Sequence, residues 1–388
     1  MKRGFRRAIT AGLVPLLALA AACTEDEPSG TTGGGDGEEA TGPVEMLVIF
    51  PETGPLAAVA AETASATTAA VEELWNEEHP DRPVSMRICN DEGNPERSVS
   101  CVNRYVDEVD IVNGPHFGAM FQAAAPVADG RTFMTTATPH GFPEPDSTIF
   151  QAIPTAEVAM EAAVAYMGEQ DWARVGLLTS SDTTGEAARD AALEVAEEHG
   201  IEFVDQQFDP SATELTPQVS AIASADVDAV FIWSSGSQVV TALRALKNAD
   251  LDVPTFLNFS SMSLSLMDLA GDSVPSELLF TGSLAFTPDQ IDDPGRRELV
   301  ERFSELYEEE AGHIPDWSGF SIADSQLVAL NAALGGSTPD EMAAHLESGV
   351  EIPGLHTVFS YGEDDHLGLP DENPIRIMRW NGSGWDPA

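Results

Sequence analysis

Residues 174–204 read RVGLLTSSDTTGEAARDAALEVAEEHGIEFV, one full unit of α/β architecture. The apolar run RVGLLT (174–179) is too short for a buried helix and reads as a strand. The polar stretch SSDTTG then turns the chain into an amphipathic run, and a helix over 185–199 is stopped by Gly200. IEFV (201–204) supplies the next strand. Strand, helix, strand with short links is the pattern of a parallel sheet covered by helices. The same alternation continues on both sides. A helix over 156–168 leads in, and DAVFIW (228–233) and PTFLN (254–258) follow as strands with helices between them. An earlier series runs EMLVIF (45–50), VSMRIC (84–89), VDIVNG (109–114) and RTFMTT (131–136), separated by helices over 57–78 and 98–106. Two successive ladders predict two lobes, each a doubly wound parallel α/β sheet. From Gly282 to Leu355 the chain is mainly helical, with 296–310 and 321–334 as its clearest helices. It closes on the strand IRIMRW (375–380), the turn NGSG and Trp385.

The amino-terminal segment has a different character. Lys2, Arg3, Arg6 and Arg7 precede an apolar run from Ala8 to Leu19, then Ala20, Ala21, Ala22 and Cys23. This is the layout of an export signal over 1–22, and its apolar run is shorter than the roughly 20 residues that span a bilayer. Small residues directly before cysteine resemble a bacterial lipobox, which implies cleavage before Cys23 and a lipid on its thiol. The usual leucine three positions before the cysteine is here Leu19, four before. The alternative is an ordinary cleaved signal. Residues 24–43 have almost no apolar side chain to offset the entropy of ordering, so 23–43 reads as a disordered acidic tether.

The chain carries 18 basic and 65 acidic residues, a net charge of −47, which excludes nucleic acid as a partner. Only Lys2 and Lys247 are lysines. That balance suggests a protein working in high salt, where self-repulsion is screened. Cys89, at the end of a strand, and Cys101, in the next helix, are placed to pair outside the cytoplasm and close the loop DEGNPERSVS. Two cysteines and scattered histidines do not make a zinc site, and no metal or cofactor is expected. There is no phosphate loop, no G-x-S-x-G elbow and no H-E-x-x-H.

The order and spacing of FPETGPLA (50–57), ICNDEGNP (88–95), NGPHFGAMFQAAAPVA (113–128), TTATP (135–139), VGLLTSSDTTGEAARD (175–190) and IRIMRWNGSGW (375–385) resemble the substrate-binding proteins of ABC transporters. The group is that of branched-chain amino acid or amide binding, with the type I periplasmic-binding fold. The resemblance implies a monomeric, non-enzymatic binding protein that closes two lobes on a small-molecule ligand and delivers it to a membrane permease. It implies three crossings, near 150–153, 280–282 and 355–359. The first lobe would then hold 44–152 and 282–355, and the second 153–281 and 356–388. Ligands of such folds sit beyond the carboxyl ends of the strands.

The loops after the strands therefore carry the candidate contacts. In the first lobe these are Thr53, then Phe117, Gly118 and Ala119, then Thr136 and Thr138. In the second they are Asp182 and Thr184, Trp233 and Ser235, and Ser261. Phe117 and Trp233 read equally as core. Threonine hydroxyls donate or accept, so Thr136 and Thr138 suit either end of a polar ligand, or satisfy their own turn. The chain departs from the family at several places. It has Val59 where an aromatic is common, no hydroxyl at 117–119, and Thr184 in place of tyrosine. Ser260, Ser261 and Met262 stand where an acidic residue pairs with a ligand ammonium. A buried ammonium without a counter-charge costs several kcal/mol. An ordinary α-amino acid is thus disfavoured unless Asp182 supplies the charge. Two other roles are compatible with the residues: a sensor read by a membrane receptor or kinase, and an exported hydrolase using Ser235 with His116 or His140.

Overall fold

The computed structural model describes residues 42–54, 57–128, 130–137 and 147–388. The export signal, Cys23, most of the tether, Thr138 and His140 lie outside the described residues.

The first ladder forms a five-stranded parallel sheet. Its strands are β1 (Val44–Phe50), β2 (Val84–Asn90), β3 (Ile111–Asn113), β4 (Thr132–Thr135) and β5 (Ile149–Gln151), in the order β2-β1-β3-β4-β5. β1 is covered on both faces, which is why it reads as an unbroken apolar run. Helices α1 (Ala57–Glu78), α2 (Pro95–Tyr105) and α3 (Gly118–Ala124) link the strands. The expected start of α2 at 98 moves back to Pro95. Asn94 accepts hydrogen bonds from the N–H groups of Glu96 and Arg97, and proline fits the first helical turn. A disulfide joins Cys89 at the end of β2 to Cys101 in α2, with Cα atoms 5.9 Å apart.

The second ladder runs α4 (Ala156–Glu169), β6 (Arg174–Ser180), α5 (Thr183–Val195), β7 (Glu202–Phe208), α6 (Thr216–Ala223), β8 (Ala229–Trp233), α7 (Ser237–Asn248), β9 (Thr255–Leu257), α8 (Leu264–Ala270) and β10 (Leu278–Gly282). Here α5 begins two residues before the expected Gly185, because Asp182 caps it by accepting from the Gly185 N–H at 2.9 Å. It ends at Val195, short of the expected 199.

The helical section consists of α9 (Pro294–Ala311), α10 (Trp317–Leu334) and α11 (Pro339–Glu347). α10 starts four residues before the expected Ser321. It is buried on nearly all sides, so no amphipathic stripe marks its first turn. A short hairpin, β11 (Ile352–Pro353) and β12 (Val358–Phe359), follows, and then β13 (Arg376–Trp380) and β14 (Trp385–Pro387). These last two complete a seven-stranded sheet, β14-β13-β10-β9-β8-β6-β7, antiparallel only at the β10/β13 and β13/β14 pairs.

Each sheet has its own core. One face of the first sheet packs on α1, α9, α10 and α11 through residues such as Val48, Trp75, Phe303 and Leu330. The other packs on α2 and α3 through Leu47, Val102, Phe121 and Phe133. The second sheet forms one core around Leu177, Phe231, Leu243 and Phe280. Residues from 356 were expected with this second sheet, yet Phe359 and Tyr361 are buried in the first core. Tyr361 donates to the Gln151 carbonyl at 2.9 Å, and the His366 ring stacks on Phe150. Large aromatic side chains hold this stretch to the first sheet until Ile375 enters the second core.

Candidate functional site

The strand-end loops of the first sheet are held by a small number of side chains. Asn90, at the end of β2, reaches across to the loop after β1. Its Oδ1 accepts from the N–H groups of Glu52 (3.0 Å), Thr53 (3.3 Å) and Glu92 (2.9 Å), and its Nδ2 donates to Thr53 Oγ1 at 2.8 Å. Gly54 completes the interlock. Its φ is +93°, and a Cβ there would collide with the Glu92 carbonyl. Thr53 and Gly54 are exposed beyond this support.

After β3 comes His116, whose Nδ1 lies 3.0 Å from Thr136 Oγ1 in the loop after β4. Burial pushes the His116 imidazole down to about 3, so the ring is neutral. Its Nε2 is buried and finds no partner among the described residues. Phe117 is half-buried beside Phe50, Ala64 and Ile322, so it shares in a small core and keeps one exposed edge. It gives α3 no side-chain cap, and Gly118 and Ala119 are exposed at the start of that helix. Thr136 is half-buried, and Thr135 beside it is buried, donating to the Pro115 carbonyl at 2.8 Å.

The loops of the second sheet are built from hydroxyls. After β6, Asp182 Oδ1 accepts from Ser180 Oγ at 3.0 Å, from Thr184 Oγ1 at 2.9 Å and from the Gly185 N–H. Both Asp182 and Thr184 are exposed. Gly185 is required here, since a Cβ would collide with the Ser180 carbonyl. After β8, Ser235 is exposed with its Oγ 3.4 Å from Ser260 Oγ, while Asn258 Oδ1 accepts from Ser260 at 3.2 Å and from Ser261 at 2.9 Å. Ser261 is buried. Trp233 is 3 % exposed and packs edge-on against Phe231 and Phe259. Of its two readings, the side chain occupies the core.

Between the sheets stands the first turn of α10, which the sequence did not single out. Trp317 stacks on Phe259 (4.6 Å) and on His356 (3.9 Å), and its backbone N–H donates to the Met262 carbonyl at 3.2 Å. Its cap, Asp316, has a carboxyl pushed up by burial. Behind it lies a buried polar network. Asp324 accepts from the N–H groups of Leu355 and His356 and is pushed up to about 7 by burial. Arg296 donates to the carbonyls of Gly354, Leu355 and His356. A long, fully buried helix following an aspartate is the signal that would have pointed to Trp317 and Asp324.

His116 and Thr136, which the sequence reading did not group, are brought together. Ser235 and His116 are not, since one faces Ser260 and the other Thr136, so no nucleophile and base are paired there. Among the described residues, no group of His, Cys, Asp or Glu is disposed to hold a metal ion.

Two mainly parallel α/β sheets, each with its own core, make up a two-lobed fold, and solved structures share it. An extracellular ligand-binding receptor from Rhodopseudomonas palustris HaA2 superposes with a TM-score of 0.76 at 21 % identity, covering 90 % of this chain and 100 % of that one. A leucine binding protein from Thermotoga maritima MSB8 gives 0.71 at 17 %, covering 89 % and 97 %. An ABC transporter substrate-binding protein from Desulfitobacterium hafniense in complex with Leu gives 0.70 at 19 %, covering 89 % and 100 %. No curated protein matches the chain. The family model described as periplasmic binding protein matches residues 43–384, and the chain belongs to that family, with the type I fold. Its members bind solutes outside the cytoplasm.

Proposed function

We propose that this chain is an extracytoplasmic receptor for a small polar solute, which it encloses between its two lobes and passes to an ABC transporter permease without transforming it. The observation that supports this reading is the presence of hydroxyl-bearing loops after the strands of two mainly parallel sheets, with Trp317 of α10 stacked on Phe259 and on His356. Closure buries a ligand between walls that are each rigidly braced. We place the hinge at three crossings, 152–155, 282–284 and 369–375, the last moved beyond the stretch that packs on the first sheet. The contacts we assign are Thr53, Phe117, Gly118, Ala119, Thr136 and Thr138 from the first lobe, with Thr184 and Ser235 opposite. Lipidated Cys23 anchors the protein to the outer face of the membrane, and the acidic segment after it acts as a spacer.

The test is the melting temperature of residues 24–388 in molar salt against amino acids, amides, ureas, polyols and carboxylates. A ligand at about 100 times its dissociation constant stabilises the folded state by roughly 2.7 kcal/mol. A rise with one compound class, lost on substituting a residue of each wall, is the expected result. A panel silent at 10 mM overturns solute binding as the role. Globomycin-sensitive processing of the full-length chain in a bacterial host would establish the lipid anchor; retention of the signal with Cys23→Ser is the matching control.

A further inference from the structure

We propose that Asn381 is a site of self-modification, at which the backbone nitrogen of Gly382 displaces the side-chain amide and leaves aspartate or isoaspartate in the turn between β13 and β14. The chain contains two Asn-Gly pairs, the dipeptide in which this ring closure is least hindered, because the following residue has no Cβ. The fold treats the two oppositely. Asn113 is fully buried, its Nδ2 donates to Ser325 Oγ at 2.7 Å, and the Gly114 N–H is taken by the Met134 carbonyl at 2.8 Å. Asn381 and Gly382 are exposed, and the Gly382 N–H has no acceptor among the described residues.

The turn itself polarises the Asn381 amide. Its Oδ1 accepts from the N–H groups of Ser383 (3.0 Å) and Gly384 (2.9 Å) and from Ser383 Oγ (3.1 Å), while its Nδ2 donates to Asp386 Oδ2 at 3.0 Å. A carboxylate only accepts, so this orientation is fixed. The three donors stand where negative charge develops when a nucleophile adds to Cγ, as in an oxyanion hole. The steps balance with water alone. Hydroxide takes the Gly382 N–H proton, the nitrogen adds to Cγ, and the Cγ–Nδ2 bond breaks as ammonia leaves with a proton from water. Water then opens the five-membered imide. Cleaving its bond to Cγ gives aspartate; cleaving its bond to the main-chain carbon gives isoaspartate, which adds a methylene to the backbone.

The product does not suit the turn in which it forms. A new carboxylate oxygen takes the place of Nδ2 and faces Asp386 with no hydrogen between them, so an attraction becomes a repulsion. Isoaspartate also lengthens the link between the paired Trp380 and Trp385. β14 is the edge strand of the second sheet, and its Trp385 packs on Phe280, Phe286 and Trp380. Because β13 runs antiparallel to β10, the turn lies at the sheet edge away from the loops that follow the parallel strands. Modification therefore loosens the edge of the second lobe and leaves the candidate contacts in place.

The experiment incubates residues 24–388, and separately the free peptide of residues 376–388, at pH 8. Mass spectrometry of proteolytic fragments, with aspartate and isoaspartate forms separated, follows Asn381 and Asn113. Conversion at Asn381 is expected to be at least as fast in the folded chain as in the peptide, with Asn113 unchanged. Ser383→Ala is expected to slow the folded chain several-fold and leave the peptide as it was, since only the folded turn holds that hydroxyl on Oδ1. Slower conversion in the folded chain than in the peptide overturns the proposal. An unchanged folded rate in Ser383→Ala overturns the part given to the turn donors. Asn381→Asp is expected to lower the melting temperature in dilute buffer, and Asp386→Asn in the same chain to restore it. Equal melting of Asn381→Asp and wild type overturns the loosening of β14.

Discussion

Replacing His356 by glutamine is expected to remove part of the acid sensitivity of the fold, by an amount the structure fixes. The imidazole is 3 % exposed and lies flat on Trp317. Its neighbours specify a neutral ring. Ser321 Oγ donates to the Trp317 carbonyl, so it accepts from Nε2–H at 3.1 Å, and Ser283 Oγ, 2.7 Å from Nδ1, is the donor there. A second ring proton would face that donor. Burial, and to a lesser degree the nearby Arg296 charge, hold the imidazole down to about 3. In the unfolded chain it titrates near 6.5. The folded value lies below the unfolded one, so the unfolded chain binds the extra proton first. Stability present above pH 6.5 is then lost as pH falls toward 3. Between pH 7 and 4.5 this amounts to about 2 to 3 kcal/mol for one such histidine. His116 contributes in the same direction, while Asp324, raised to about 7, gains stability over the same interval and opposes them. Both cancel in the difference between wild type and variant, because Asp324 bonds the backbone of residue 356 and not its ring. Urea unfolding at pH 7 and pH 4.5 in molar salt reads that difference. At pH 7 the variant is less stable by about 1 to 3 kcal/mol through lost hydrogen bonding and stacking. At pH 4.5 the two converge by about 2 to 3 kcal/mol. An equal gap at both pH values would refute a ring held neutral by its surroundings.

Three further outcomes are expected. Cys89→Ser with Cys101→Ser removes a bridge across a sequence separation of 12 residues and lowers unfolding free energy by about 3 kcal/mol in urea titrations. Gly54→Ala places a side chain at φ +93° against the Glu92 carbonyl, which costs about 1 to 3 kcal/mol and displaces Thr53. Its melting temperature falls, and its solute affinity falls with it. Raising salt from about 0.01 M to 1 M shortens the screening length from about 30 to 3 Å, so a chain of net charge −47 melts at a higher temperature in the second buffer. A flat or falling melting temperature would remove the case for high-salt adaptation.

The α/β alternation was readable because each central strand is buried on both faces and each covering helix on one, so composition changes at nearly every boundary. β6, β8 and α4 lie within a residue or two of where 174–179, 228–233 and 156–168 placed them. Caps moved the remaining boundaries. Asn94 and Asp182 extend α2 and α5 toward their starts through side-chain bonds that leave no apolar signature. The path of 356–369 was illegible for another reason. Phe359 and Tyr361 suit either core by composition. Only the bond from Tyr361 to Gln151 and the stacking of His366 on Phe150 decide between them, and these partners are more than 200 residues away in sequence.

The same limit governs the site. Position at a strand end made Thr53, Thr136 and Thr184 candidates, because the topology of a parallel sheet directs such loops to one edge. Residue type told much less. A threonine is donor and acceptor at once, so three threonines in a sequence describe no particular ligand. Their chemistry becomes definite only when a second residue consumes one of the two capacities. Asn90 Nδ2, 37 residues on, occupies one lone pair of Thr53 Oγ1, and Asp182, two residues away, takes the only hydrogen of Thr184. Thr136 remains undirected, since its partner His116 is itself a ring whose proton can sit on either nitrogen. What each hydroxyl can offer a proposed solute therefore depends on these supporting partners as well as on the residue type itself.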